Sequence, residues 1–118
     1  MTLASRCDAV EECYEFMLAY AAQGLTSDGG QIREFLGKAV TALYGMAEAC
    51  AAEEISPRFT AVVEHDAQSA LAAMELVLAQ PSISSQLIDN LNASIHLRAL
   101  LTDLFLVDEI VKLRAVAR

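Results

Sequence analysis

Cysteines, histidines and misplaced carboxylates are the residues of this chain that could do chemistry. Three cysteines occur, Cys7, Cys13 and Cys50, and no two of them form a C-x-x-C pair. The spacing therefore spells neither a zinc finger nor a thioredoxin-like redox motif. Cys7 and Cys50 fall on the apolar stripes of two consecutive helical segments. Counted outward from the turn at 24–30, they reach similar heights in an antiparallel hairpin, where they could touch. The expectation is that they are reduced and serve as small buried apolar side chains.

The histidines are His65 and His96. Metal centres in helical bundles use a Glu-x-x-His spacing on two helices together with further glutamates. Neither histidine has a glutamate three residues before it, and Glu64, adjacent to His65, points elsewhere on a helix. No metal and no cofactor is expected. Asp89, Asn92, His96 and Asp103 make a polar stripe, read as the solvent-facing strip of a last helix; the alternative is a hydrated pocket in which His96 titrates. No Gly-x-Ser-x-Gly, phosphate loop or His-Glu-x-x-His is present, and Asp28-Gly29-Gly30 is explained by a turn. Asp8, Glu11, Glu12 and Glu15 make an acidic face that reads as solvated surface, with a basic partner as the alternative.

Two features break the surrounding pattern. Asp66 sits inside an apolar stripe among Phe59, Val62, Val63 and Ala70. A buried carboxylate without a partner is costly. Counting outward from Pro81-Ser82 puts Arg98 opposite it, so Asp66 and Arg98 are expected to form a buried ion pair. Gly37, Thr41 and Gly45 are spaced by four on the side of a helix away from its core stripe. Glycine inside a helix costs up to about 1 kcal/mol against alanine, so these are either tolerated surface glycines or a surface for close approach of another helix.

These residues are positioned by helices. The chain has only two prolines and five glycines, and most mark boundaries. Gly24 closes the first pattern, and Asp28 with Gln31 resembles a capping box before the second. Ser56-Pro57 is a cap followed by proline at the first helical position. Pro81 ends the third pattern, and Ser82 or Ser84 can cap the fourth. The expected fold is all-α, an antiparallel up-down-up-down four-helix bundle with helices near 3–23, 31–53, 57–80 and 84–115, forming a single domain over 1–118.

Apolar spacing supports those spans. Leu3, Cys7, Val10, Tyr14, Met17 and Ala21 recur at 4-3-4-3-4, as do Ile32, Leu36, Ala39, Leu43, Met46 and Cys50. Phe59, Val63, Ala67, Ala70, Met74 and Val77, at 4-4-3-4-3, make the corresponding stripe of the third helix. The last pattern differs. Leu87, Ile88, Leu91 and Ile95 define one face, and Leu97, Leu100, Leu101, Leu104, Val107 and Val111 a face rotated well away from it. Phe105, Leu106, Ile110 and Leu113 widen the arc. A helix apolar almost all round is central to the bundle or shared with a second subunit.

Composition limits the functional classes. Of 118 residues 55% are apolar, and 16 acids against 8 bases leave a net charge of −8. Phosphate backbones are repelled on average, and the only basic cluster is the tail Lys112, Arg114 and Arg118, so no nucleic-acid partner is expected. Such a tail ordinarily complements its own helix dipole. The most apolar stretch, Leu97 to Val107, carries Arg98 and Asp103, and the start of the chain lacks an apolar signal region. The expectation is a cytoplasmic protein with no membrane partner.

Together these features read as a non-enzymatic helical interaction protein: a regulator, adaptor or chaperone-like assembly factor, acting as a homo-oligomer with a protein partner. Phe105, Leu106 and Ile110 are the expected contact residues, and Gly37 and Gly45 a second close-approach surface. The alternative is a ligand- or metal-binding bundle, including a small enzyme, that uses His65, His96 or the cysteines.

Overall fold

A computed structural model describes residues 1–24, 26–27 and 30–117. The chain folds into α1 (Leu3–Gln23), β1 (Thr26–Ser27), α2 (Gln31–Leu43), α3 (Met46–Ala52), α4 (Pro57–Leu78), β2 (Ile83–Ser84), α5 (Ser85–Ala93) and α6 (Ile95–Ala117). Among the described residues it is all-helical apart from one two-residue antiparallel ladder, in which Thr26 pairs with Ser84 and Ser27 with Ile83. The molecule is compact, with extents of 46 × 25 × 22 Å.

Local chemistry sets most helix ends. Thr2 accepts a hydrogen bond from the Ser5 amide to start α1, Ser56 accepts from Phe59 before Pro57 to start α4, and Ser84 accepts from Leu87 to start α5. Each side-chain oxygen satisfies one of the amides that a helix start leaves unpaired. Gly24 closes α1 in the left-handed conformation at φ 68°. The residue before α2 is Gly30, which offers no side-chain cap. Asp28 of the expected capping box lies outside the described residues, as does Arg118 of the basic tail.

Among the described residues six helices stand where four were expected, because two apolar patterns each contain a break. The first break is at Tyr44-Gly45, where Tyr44 turns extended and Gly45 takes φ 90°. That left-handed geometry suits glycine because it has no Cβ to clash with the following carbonyl. The stripe from Ile32 to Cys50 is buried throughout, so the 4-3 spacing survives the break and conceals it. The second break is at Ser94, whose ψ of 132° is incompatible with a continuing helix. Its amide closes α5 on the Leu91 carbonyl, while its carbonyl and hydroxyl begin α6 by accepting from the Arg98 and His96 amides. The rotation of the apolar face between Ile95 and Leu97 is the mark of this break.

The core lies between α1, which packs on α2 along one side and on α5 along another, and the pair α4–α6. Tyr20 ties α1 to the ladder by donating its hydroxyl to the Ile83 carbonyl at 2.6 Å. Phe16 of α1 stacks on Phe35 of α2 at 4.4 Å. On α6, Leu97, Leu100, Leu101, Leu104 and Val107 are buried. Phe105, Leu106 and Leu113 are not, so the helix is covered on one side only.

Three arginines hold helix ends that lack a basic residue of their own. Arg6 of α1 donates to the carbonyls of Ala42 and Tyr44 at the end of α2. Arg33 of α2 donates to Leu78 and Gln80 at the end of α4. Arg114 of α6 donates to Glu53 and Glu54 at the end of α3. A guanidinium there satisfies carbonyls that have no intrahelical partner and complements the negative end of the helix dipole. Arg114 lies in the last turn of α6, as the reading of the basic tail expected, and serves the end of α3 as well. It also offsets the unfavourable placement of Glu53 and Glu54 after α3.

Candidate functional site

Inside the α4–α6 contact the structure brings together two carboxyls. Asp103 is 8% exposed, and its carboxyl hydrogen-bonds that of Asp66. Two ionised carboxylates have no hydrogen to share, so this contact requires a proton. Burial first, and then the Asp66 hydrogen bond and charge, push Asp103 up from 3.8 to about 7. Its Oδ2 atom has no hydrogen-bond partner. The pair is a proton-holding contact in a wall of packed side chains, with Cys50 close enough to feel the Asp103 charge.

The partner expected for Asp66 was Arg98. Arg98 is instead exposed on the outer side of α6, and the ion pair found among the described residues is Asp108–Lys112 at 2.8 Å. Counting from Pro81 fails because Ile83 and Ser84 are extended, α5 turns towards α1, and Ser94 breaks the helix. Together these shift the register until Asp103 faces Asp66. The polar stripe is also divided by that break. Asp89 and His96 face solvent, while Asn92 and Asp103 are buried, and neither side-chain amide atom of Asn92 has a hydrogen-bond partner.

The cysteines are buried and reduced. Burial is the leading cause that drives Cys7 and Cys13 up to about 12 and Cys50 to about 11. Negative neighbours add to this at Cys7, Asp108 first, and Asp103 does so at Cys50. Cys50 is also among the groups that raise Cys7, which makes the two neighbours across the core. The thiolate is the nucleophile and the metal ligand, and these sites suppress it. His65 and His96 are exposed. Among the described residues no three His, Cys, Asp or Glu side chains converge as metal donors.

The two glycines part company. Gly37 lies in α2 beside an open groove of about 410 Å³ with Ala9 and Thr41, and a Cβ built there meets nothing within 4 Å. Gly45 is not on that helical face. It ends α2, and the Arg6 guanidinium comes within 3.1 Å of where its Cβ would be. Its role is a turn covered by an arginine, so the close-approach surface through Gly37 and Gly45 does not form as a line.

Among the described residues, half of the exposed large hydrophobic side chains stand on the outer face of α6. Ile95, Phe105, Leu106, Leu113 and Val116 are 75%, 52%, 51%, 59% and 87% exposed. At 100° per residue they fall within one arc of the helix. Ile110, expected to share this face, is half-buried against the core instead. Among the described residues no helix is long and apolar enough to cross a membrane. Compared with protein families, curated proteins and solved structures, the chain matches none.

Proposed function

We propose that the protein is a non-enzymatic helical interaction protein, a regulator, adaptor or assembly factor, that works as a homo-oligomer through the outer face of α6. The exposed arc from Ile95 to Val116 carries this reading. Large apolar side chains grouped on one face of a soluble fold usually mark an interaction surface. The interior of the same helix is already filled by Leu97, Leu100, Leu104 and Val107, so the outer residues are surplus to the monomer's own core. Twofold association is the commonest way for one surface to cover itself.

The chemistry elsewhere supports an interaction role over catalysis. The thiols are buried and protonated, and the carboxyl pair lies within packed helices. The test is the mass in solution. Light scattering of the native chain at micromolar concentration should give a multiple of 12.7 kDa, and Leu106→Asp should return it to the monomer. A native monomer mass would reject self-association.

A further inference from the structure

We infer that the occupant of the α6 outer face is α6 of a second copy, packed antiparallel so that Arg98 of each subunit meets Glu109 of the other. This deepens the self-association reading and rests on it. The argument comes from the two charges on the face. Arg98 and Glu109 are both exposed, and both lie within the arc that carries Ile95, Leu106 and Leu113. Neither is in an ion pair among the described residues, whereas Lys112 at the edge of the arc is held by Asp108.

One register satisfies charge and apolar contact together. When Arg98 is set opposite Glu109 of the partner subunit, the twofold axis crosses α6 at the level of Asp103 and Leu104. Ile95 and Leu113 of the partner subunit then lie within one residue of the same level, about 1.5 Å apart along the helix, as do Thr102 and Leu106 of the partner subunit. A single axis thus places apolar residues at both ends of the contact and two cation–anion pairs between them. The charged positions stand eleven residues apart, roughly 16 Å along the helix, so both pairs fit within the 23-residue α6. Parallel packing in register would set Arg98 on Arg98 and Glu109 on Glu109. Like charges across an interface are disfavoured, and charge pattern is what fixes register. A uniformly basic partner would meet Arg98, and a uniformly acidic one Glu109. A face with one charge of each sign is complementary to its own antiparallel copy.

Sedimentation equilibrium of the full chain tests this with a charge swap. Arg98→Glu and Glu109→Arg should each weaken the dimer by about tenfold, since both replace two attractive pairs with two repulsive ones. The double variant R98E/E109R should regain most of the native affinity. Net charge alone predicts otherwise, because R98E makes the chain more negative and E109R less, so only specific pairing weakens both. Circular dichroism checks that each variant keeps its helices, and Arg98→Gln with Glu109→Gln replaces any that does not. A native dimer indifferent to the single reversals, or a double variant no better than the singles, overturns the antiparallel register while leaving self-association standing. A native protein that stays monomeric overturns both.

Discussion

The proton between Asp66 and Asp103 is held by the folded chain and released by the unfolded one. Asp103 titrates near 3.8 when exposed and near 7 in the fold, so between those values the folded state binds more protons. Stability is then full below about pH 4, falls as pH rises through the window, and levels off above 7; the slope from this group is at most about 1.4 kcal/mol per pH unit. Asp103→Asn can donate its amide to the Asp66 carboxyl without titrating. The midpoint of thermal unfolding should therefore fall from pH 5 to 8 in the native protein and fall less in the variant. Parallel curves would show that the pair does not hold a proton. The cysteines make a second residue-scale case. Cys13→Ala removes a fully buried sulfur that contacts Met17 at 3.6 Å, so urea unfolding should show a loss of about 1–2 kcal/mol from packing, with oligomeric state unchanged. Asp66 was legible as an anomaly in its apolar stripe. Its partner was not, because a pairing across helices depends on a register that one break can shift.

At the scale of elements, the two glycines of α2 call for opposite outcomes. Gly37 has helical geometry and open space beyond it, so Gly37→Ala should stabilise by up to about 1 kcal/mol through helix propensity. Gly45 has φ 90° with an arginine against it, so Gly45→Ala should destabilise by about 1–2 kcal/mol. Chemical denaturation of both variants checks the signs; equal effects would mean that the α2–α3 break is not where the structure has it. Helix starts were readable from Ser56-Pro57 and Ser84 because caps act over three residues. The breaks at Gly45 and Ser94 were harder to read. The Ile32–Cys50 stripe keeps its period across the first, and the rotated face that marks the second also fits a helix buried on all sides. The arginines closing α2, α3 and α4 lie 36 to 61 residues from their carbonyls, beyond any local pattern. Arg114→Ala should loosen the end of α3 and speed hydrogen exchange at Glu53 to Ile55, while exchange in α1 stays as it was.

For the whole molecule, an all-helical fold followed from apolar periodicity, since stripes at 3.6 residues bury only when helices pack face to face. The α6 arc was legible as an excess of leucine, isoleucine and phenylalanine, but its division into an inner buried row and an outer exposed row depended on where Ser94 ended α5. The inner row now belongs to the monomer's core and the outer row to a surface with Arg98 and Glu109 set into it. Self-association through that surface is the central claim, and sedimentation velocity across a dilution series from about 1 to 200 µM, a range suited to micromolar dissociation constants, tests it most directly. The native chain should sediment as a dimer that dissociates on dilution, and Leu106→Asp should sediment as a monomer throughout with its helical signal intact. A native protein that sediments as a monomer of 12.7 kDa at every concentration would contradict it.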